Sequence, residues 1–191
     1  MHSSALFTDF YELTMAQGYW KRGMDERAIF DMFFRRHPFG GGFSIFAGLE
    51  IFLEKLRNFR FSPEDIAYLE SLGTFEKGFL KYLRDFTFTG DVWAIDEGSV
   101  VFPQEPLVRI DAGLIEAQII EGLVLNTLNF QSLVATKAAR VWLASGRGHI
   151  MEFGLRRAQE AMGPCPLQEL PISVGLPVPR TPRQLTYTRY Q

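Results

Sequence analysis

The amino-acid sequence has little of what marks several common classes of protein. Its single cysteine, Cys165, excludes an internal disulfide and a cysteine-ligated zinc site. Its formal net charge of −2 gives no support to a general nucleic-acid-coating protein. Its longest apolar stretch, residues 114–130, is interrupted by glutamate, glutamine and asparagine, so it does not predict a membrane span. The N-terminus has no basic-then-apolar signal, and we therefore expect a cytoplasmic protein with no membrane or nucleic-acid partner.

An abrupt change of composition separates residues 164–191 from the rest of the chain. All 18 phenylalanines lie between Phe7 and Phe153, whereas residues 164–191 hold none of them and six of the ten prolines. Such a shift is typical of a domain edge or a disordered linker, and its abruptness also fits a reading-frame change near residues 159–163. We expect a Pro-rich, disordered tail over 164–191.

Capping residues and hydrophobic periodicity predict the helices and strands. Thr8 is the expected N-cap of a helix over 10–17 that Gly18 ends, and Ser62 with Pro63 begins a second helix. A long helix is expected at about 111–145, with a break near Gly122. The remaining predicted elements are strands at 27–34, 43–46, 86–95, 99–110 and 149–153, a turn at 38–42, and helices at 47–59 and 75–83.

The order of these elements predicts the fold class. Helices and strands that alternate irregularly over residues 1–145 are typical of an antiparallel α+β domain. A new strand that begins at His149 then predicts the start of a β-to-helix unit over 146–163. The sequence thus indicates an α+β N-terminal domain followed by the first part of an α/β unit.

The segment 152–157, Glu-Phe-Gly-Leu-Arg-Arg, carries the clearest candidate site. It lies at the end of the predicted strand, and the ends of strands are where open sheets and barrels bind ligands. Phe153 could stack on an aromatic ligand, and Arg156 could bind a carboxylate or phosphate in a bidentate pair. The alternative is that Phe153 belongs to the core and the arginines are solvated.

Other candidates are weaker when each is taken alone. Tyr11 could stack on a ligand, although a tyrosine on such a helix is more often part of the core. Lys137 and Arg140 lie close together on the long helix and could face an anion or simply lie on its exposed side. The glycines at 40–42 lack the spacing of a phosphate-binding loop, so they indicate a turn. We expect a structural role for His149, and no catalytic triad, metal cluster or carboxylate pair can be assembled.

Four segments together resemble the nicotinate phosphoribosyltransferase family. Their order and spacing make the resemblance specific, and it extends from about residue 6 to residue 159. The segments are TDFYELTMAQGYW at 8–20, FFRR with PFGGGF at 33–43, NFQSLVATKAAR at 129–140 and EFGLRRAQ at 152–159.

The resemblance implies an activity and a fold. The family joins nicotinate to phosphoribosyl pyrophosphate, giving nicotinate mononucleotide and pyrophosphate in NAD salvage. ATP hydrolysis through a phosphohistidine drives the reaction, and Mg²⁺ accompanies the phosphates. The implied fold is an α+β N-terminal domain followed, here, by the first β/α unit of an incomplete α/β barrel of the type II phosphoribosyltransferase kind. The family also implies a homodimer whose active sites are shared between subunits.

The resemblance also implies roles for individual residues. Tyr11 would stack on the pyridine ring from the partner subunit, and Phe153 would cover the other face of the ring. Arg156 would contact the substrate carboxylate or the phosphoribosyl group. Lys137 and Arg140 would contact phosphate.

The resemblance stops where the family's barrel continues. Residues 164–191 do not match the part that carries the phosphohistidine, and His2, His37 and His149 are not in its motif. We therefore expect a truncated or frame-shifted copy that is inactive by itself. Two alternatives stay open: a non-catalytic partner of a full-length homologue, and a nicotinamide phosphoribosyltransferase-like chain.

Overall fold

Two antiparallel sheets hold the described strands of the computed structural model, which covers residues 5–151 and 188–190. A four-stranded sheet has the order β1-β5-β3-β6, and a two-stranded sheet pairs β2 with β4. The strands are β1 Arg27–Met32, β2 Ser44–Ile45, β3 Asp91–Ala94, β4 Val100–Val101, β5 Val108–Gly113 and β6 Thr188–Tyr190.

Alternation along the strands gives the large sheet one apolar face and one charged face. In β5, Val108, Ile110 and Ala112 are buried, whereas Arg109 and Asp111 lie on the opposite face. The same period of two continues in the neighbouring strands β1 and β3. The buried side chains join one hydrophobic core.

A short 3₁₀ helix, Pro38–Gly40, and six α-helices complete the described fold. Their bounds are α1 Phe10–Arg22, α2 Leu49–Arg57, α3 Pro63–Ser71, α4 Lys77–Arg84, α5 Leu114–Ile119 and α6 Glu121–Ala144. α5 contacts β1 and β5, α1 packs on α5, and α2 packs on α6. The predicted start of α3 is confirmed, since Ser62 and Asp65 form a reciprocal capping box and Pro63 occupies the first turn.

The predicted start of α1 at Phe10 is confirmed, but its predicted N-cap and its predicted end were wrong. Asp9, not Thr8, is the N-cap residue, and the Thr8 hydroxyl instead donates to the Glu12 carboxylate. The helix continues through Gly18 and ends before Gly23, which has a φ of 66°. That left-handed conformation favours glycine, so Gly23 supplies the stop that was assigned to Gly18.

The long helix predicted at about 111–145 was also wrong in its first part. β5 runs to Gly113 and pairs residue by residue with β1, so 111–113 are strand. The predicted break near Gly122 is confirmed, since α5 ends and α6 begins at Ile120. Gly122 lies inside α6, where a Cβ would come within 3.2 Å of the Glu12 carboxylate oxygens.

Several predicted strands are shorter or pair differently. The strand predicted at 86–95 is β3, and the one predicted at 99–110 is two strands, β4 and β5. The strand predicted at 43–46 is the two-residue strand β2, which pairs with β4. Residues 149–151 are not strand, and 152–153 lie outside the described residues. β6 was not predicted, and the expected disorder does not hold for Thr188–Tyr190.

Phenylalanine builds much of the helical side of the core. Phe59, Phe61 and Phe86 meet edge to face, with ring centroids 5.8–6.0 Å apart. Phe79 on α4 is fully buried and stacks on Tyr82. These rings therefore join the short helices α2, α3 and α4 and the loops between them.

Candidate functional site

Tyr11 projects from the first turn of α1 with 46% of its surface exposed. The opposite side of the helix is held in the core by Glu12, Leu13 and Ala16, which are all buried. Because successive residues of a helix point about 100° apart, burial of these three turns Tyr11 outward. The alternative that Tyr11 is a core residue does not hold.

A hydrogen-bonded pair of side chains orients the exposed ring. The Tyr11 hydroxyl donates to Glu121 Oε1 at 3.2 Å, and Gln118 Nε2 donates to the other oxygen of Glu121 at 2.8 Å. Partial burial, followed by the negative charge of Glu121, raises the pKa of Tyr11 above its ordinary value. The ring is thus a neutral phenol at neutral pH, and its exposed face is free to stack on a flat molecule.

Glu12 anchors α1 behind that ring. Its side chain is only 1% exposed, and it accepts a hydrogen bond from the Thr8 hydroxyl. Burial raises the pKa of Glu12, the Thr8 hydrogen bond opposes the shift, and the charge of Glu121 adds to it. Glycine at 122 leaves room for the carboxylate beside α6. The direction of Tyr11 is therefore set by a buried contact between α1 and the start of α6.

Lys137 and Arg140 lie in the second half of α6, against the loop that contains Phe39. Lys137 Nζ is 5.0 Å and the Arg140 guanidinium carbon 5.6 Å from the centre of the Phe39 ring. Arg140 also donates to the Phe39 carbonyl at 3.1 Å. Phe39 has a φ of 59°, which is unusual for a residue with a side chain. Two of the segments that carry the resemblance, the PFGGGF loop and the third segment on α6, therefore meet here.

These contacts describe what the two cations do within the chain. Both hold the Phe39 loop by cation–π contacts, which explains their spacing without a ligand. A cleft of about 270 Å³ is lined by Arg36, Ser132 and Thr136 among others, and by neither of the two cations. Ser132 and Thr136 accept hydrogen bonds from the backbone N–H groups of residues 47 and 45. The phosphate role of Lys137 and Arg140 stays a prediction.

The two groups of candidate residues lie at opposite ends of α6. Tyr11 contacts Glu121 in the first turn, and Lys137 follows Glu121 by 16 residues. At 1.5 Å per residue this places Lys137 about 24 Å further along the helix axis. The structure therefore does not bring Tyr11 and Lys137 to one site within one chain. Phe153 and Arg156 lie outside the described residues.

Glu121 is the site residue that the sequence interpretation missed. No local pattern singled it out, because its contact with Tyr11 joins residues 110 positions apart. Over residues 5–151 and 188–190, no group of three His, Cys, Asp or Glu side chains could hold a metal ion. Within the same residues, no helix is long and apolar enough to cross a membrane.

Solved structures with a similar fold define the class of this domain. The crystal structure of human nicotinic acid phosphoribosyltransferase matches with a TM-score of 0.73 and 40% identity, over 81% of this chain and 32% of that one. Nicotinate-nucleotide pyrophosphorylase from Pyrococcus furiosus matches with a TM-score of 0.64 and 20% identity, over 82% and 33%, which shows the fold alone. The fold is therefore the α+β domain found in phosphoribosyltransferases of this kind.

Sequence comparison narrows the class to one family. Residues 6–129 match the family model of the nicotinate phosphoribosyltransferase (NAPRTase) N-terminal domain. The chain is 48% identical to nicotinate phosphoribosyltransferase pncB2 of Mycobacterium tuberculosis over 86% of its own length and 35% of that protein. It is 46% identical to nicotinate phosphoribosyltransferase of Bacillus subtilis over 83% of its length and 32% of that protein. The chain belongs to the nicotinate phosphoribosyltransferase family, and it spans about a third of the length of these relatives.

Proposed function

We propose that this chain supplies the Tyr11 wall of a nicotinate phosphoribosyltransferase active site. The reaction joins nicotinate and phosphoribosyl pyrophosphate to give nicotinate mononucleotide and pyrophosphate, a step of NAD biosynthesis, and ATP hydrolysis to ADP and phosphate accompanies it. One observation carries the proposal: within a member of this family, Tyr11 is an exposed aromatic ring held from behind by buried Glu12. The nicotinate names of the relatives favour nicotinate over nicotinamide.

The proposed chemistry needs a clamped ring and a stabilised leaving group. When pyrophosphate leaves, positive charge develops on the ribose, and a ring held between two aromatic faces keeps its nitrogen aligned for attack. Tyr11 would supply one face, Phe153 the other, and Arg156 would bind the carboxylate. The Glu121 hydrogen bond supports this role for Tyr11, since it limits rotation of the ring.

A homodimer with shared sites is the second part of the proposal. Phe10 and Met15, which flank Tyr11 on α1, are 53% and 42% exposed, and Phe7 just before the helix is 60% exposed. Exposed apolar side chains grouped in this way are typical of a protein–protein contact. The separation of about 24 Å along α6 between Glu121, which bonds Tyr11, and Lys137 also favours a contribution of Tyr11 to the site of a partner subunit.

ATP and Mg²⁺ remain part of the proposal without an assigned residue. The described residues offer no group of metal ligands, and the phosphohistidine motif is not matched, so no step is assigned to either. Lys137 and Arg140 are proposed to contact phosphate through their positive charges. A cytoplasmic location stays a prediction.

We expect the 191-residue chain by itself to form no nicotinate mononucleotide. This chain matches only about a third of the length of each relative. The assay is chromatographic detection of nicotinate mononucleotide from nicotinate, phosphoribosyl pyrophosphate, ATP and Mg²⁺. Product formed by the purified chain would contradict this part of the proposal.

A mixed-subunit experiment tests the role of Tyr11. The Bacillus subtilis relative is prepared with alanine at its position aligned with Tyr11 and is co-expressed with this chain. We expect the two to co-purify and activity to be restored, because Tyr11 would enter the site of the other subunit. The matched control is this chain with Tyr11→Ala, which should associate without restoring activity.

The same experiment separates the catalytic role from the alternative of a non-catalytic partner. Co-purification without restored activity would favour the non-catalytic partner and count against a catalytic role for Tyr11. Failure to associate, checked by size-exclusion chromatography, would contradict both.

A further inference from the structure

The charged face of the large sheet contains a pair of neighbouring aspartates. Their two negative charges are balanced by arginines from two different strands. Asp91 on β3 and Asp111 on β5 are direct partners in the antiparallel register. Like charges opposite each other across two strands are destabilising. Both side chains are partly buried, with 18% and 28% of their side-chain surface exposed. The pair therefore needs cations from the neighbouring strands.

Two arginines supply this charge from the two sides of the pair. Arg27 on β1 bonds Asp111 Oδ1 at 2.8 Å and Asp91 Oδ2 at 3.1 Å, so its single charge is shared between two carboxylates. Arg189 on β6 bonds the two oxygens of Asp91 at 2.9 and 3.0 Å. Neutralisation of the Asp91 charge thus depends on β6, the strand next to β3.

The other contacts of β6 define what that strand must offer. Arg189 is paired with Trp93 in the register, and its guanidinium lies 5.7 Å from the Trp93 ring centre. Tyr190 is paired with Val92, is partly buried against the core and lines a cleft of about 350 Å³ beside Leu56. The edge of β3 therefore selects an extended segment with a guanidinium opposite Trp93 and an aromatic ring opposite Val92.

We propose that the edge of β3 is a docking site for an extended Arg-aromatic segment, and that Thr188–Tyr190 of the same chain is its occupant. This site is separate from Tyr11 and does not depend on the proposed enzymatic function. An uncovered strand edge offers unpaired N–H and C=O groups to other chains, and β6 closes this edge. Three residues form few contacts, so their covalent connection, which raises the local concentration of the segment, is needed for docking.

Amide hydrogen exchange of β3 tests the proposal. In a chain that ends at Tyr187, we expect the β3 amides that do not bond to β5 to exchange at least about tenfold faster than in the full chain. Arg189→Ala should accelerate the same amides about fivefold, the upper range for an exposed ion pair, and Arg189→Lys should accelerate them less. Arg22→Ala removes the same charge from the end of α1 and should leave β3 exchange unchanged.

The exchange of β5 amides bonded to β1 serves as an internal control for folding. Only variants in which these amides keep their protection are compared. If the shortened chain does not fold, Arg189→Ala still tests the proposal in a chain of full length. Asp91→Asn combined with Arg189→Ala should accelerate β3 exchange by less than the product of the two single effects, because both remove one interaction. Unchanged β3 exchange in Arg189→Ala, or fully multiplicative effects in the double variant, would overturn the proposal.

Discussion

Replacement of Gly90 by alanine tests how closely β3 must approach β5. A Cβ at position 90 would lie 2.4 Å from Ala112 Cβ, 2.8 Å from the Asp111 carbonyl oxygen and 2.9 Å from Ala112 Cα. Ordinary carbon–carbon contacts are about 3.5–4.0 Å, so the strand must move by roughly 1 Å. Two of the three atoms belong to backbone that is held by the β5 pairing, and neither can rotate away.

The overlap sets the expected loss in the free energy of unfolding. Overpacking of a core contact destabilises by about 1–3 kcal/mol, and a clash with backbone places Gly90→Ala in the upper part of that range. With a urea dependence of about 1–3 kcal/mol per molar, the unfolding midpoint should fall by about 1 M. Urea titration followed by circular dichroism measures this midpoint.

Gly18→Ala is the matched control because it makes the same chemical change in the opposite environment. Gly18 lies inside α1, and a Cβ there would have no atom within 4 Å. Alanine is about 1 kcal/mol more favourable than glycine in a helix, so this variant should be more stable than the parent chain. A Gly90→Ala stability within about 0.5 kcal/mol of the parent would refute the argument from the β3–β5 approach.

Two further predictions concern titrating groups. The hydrogen bond from Arg189, followed by its charge and by Arg27, lowers the pKa of Asp91, while partial burial opposes the shift. The stabilisation from the Asp91–Arg189 contact is therefore present above pH 3.8, the ordinary pKa, and is lost as pH falls through the lowered pKa of the folded state. In that lower pH range, the difference in β3 amide exchange between the parent chain and Arg189→Ala should shrink. Glu121→Gln should lower the pKa of Tyr11 toward, but not to, 10.0, because partial burial is the largest cause of the shift. Carbon-13 NMR of labelled tyrosine, assigned with Tyr11→Phe, measures it, and an unchanged titration would contradict the Glu121 contact.

The parts of the fold that the sequence predicts correctly are those decided by residues close together in the chain. α3 begins where expected because Ser62, Pro63 and Asp65 act within one helical turn. The end of α1 was wrong because Gly18 costs only about 1 kcal/mol inside an exposed helix, and packing of the helix outweighs that cost. Residues 111–113 were assigned to a helix because a short apolar run fits either helix or strand, and pairing with β1 decides between them.

The residues of the candidate site also separate into those that could be predicted from the sequence and those that could not. Tyr11 could be proposed from the resemblance, and its exposure follows from the burial of Glu12 beside it. Glu121 and Arg189 were not predictable, because each acquires its role from a contact about a hundred residues away in the chain. β6 illustrates the same limit, since a three-residue strand is defined only by the edge on which it docks.

α6 also limits how the candidate residues can act together. It is a single helix of 24 residues with Tyr11 bonded at its first turn and the Phe39 loop held near its last turns. A helix does not shorten, so Glu121 and Lys137 stay about 24 Å apart along the axis in any state that keeps α6 intact. If Tyr11 and Lys137 act on the same substrate, they must therefore come from different chains. Under the proposed function, the length of α6 thus favours a site shared between subunits, and restored activity in the mixed-subunit experiment would support it for Tyr11.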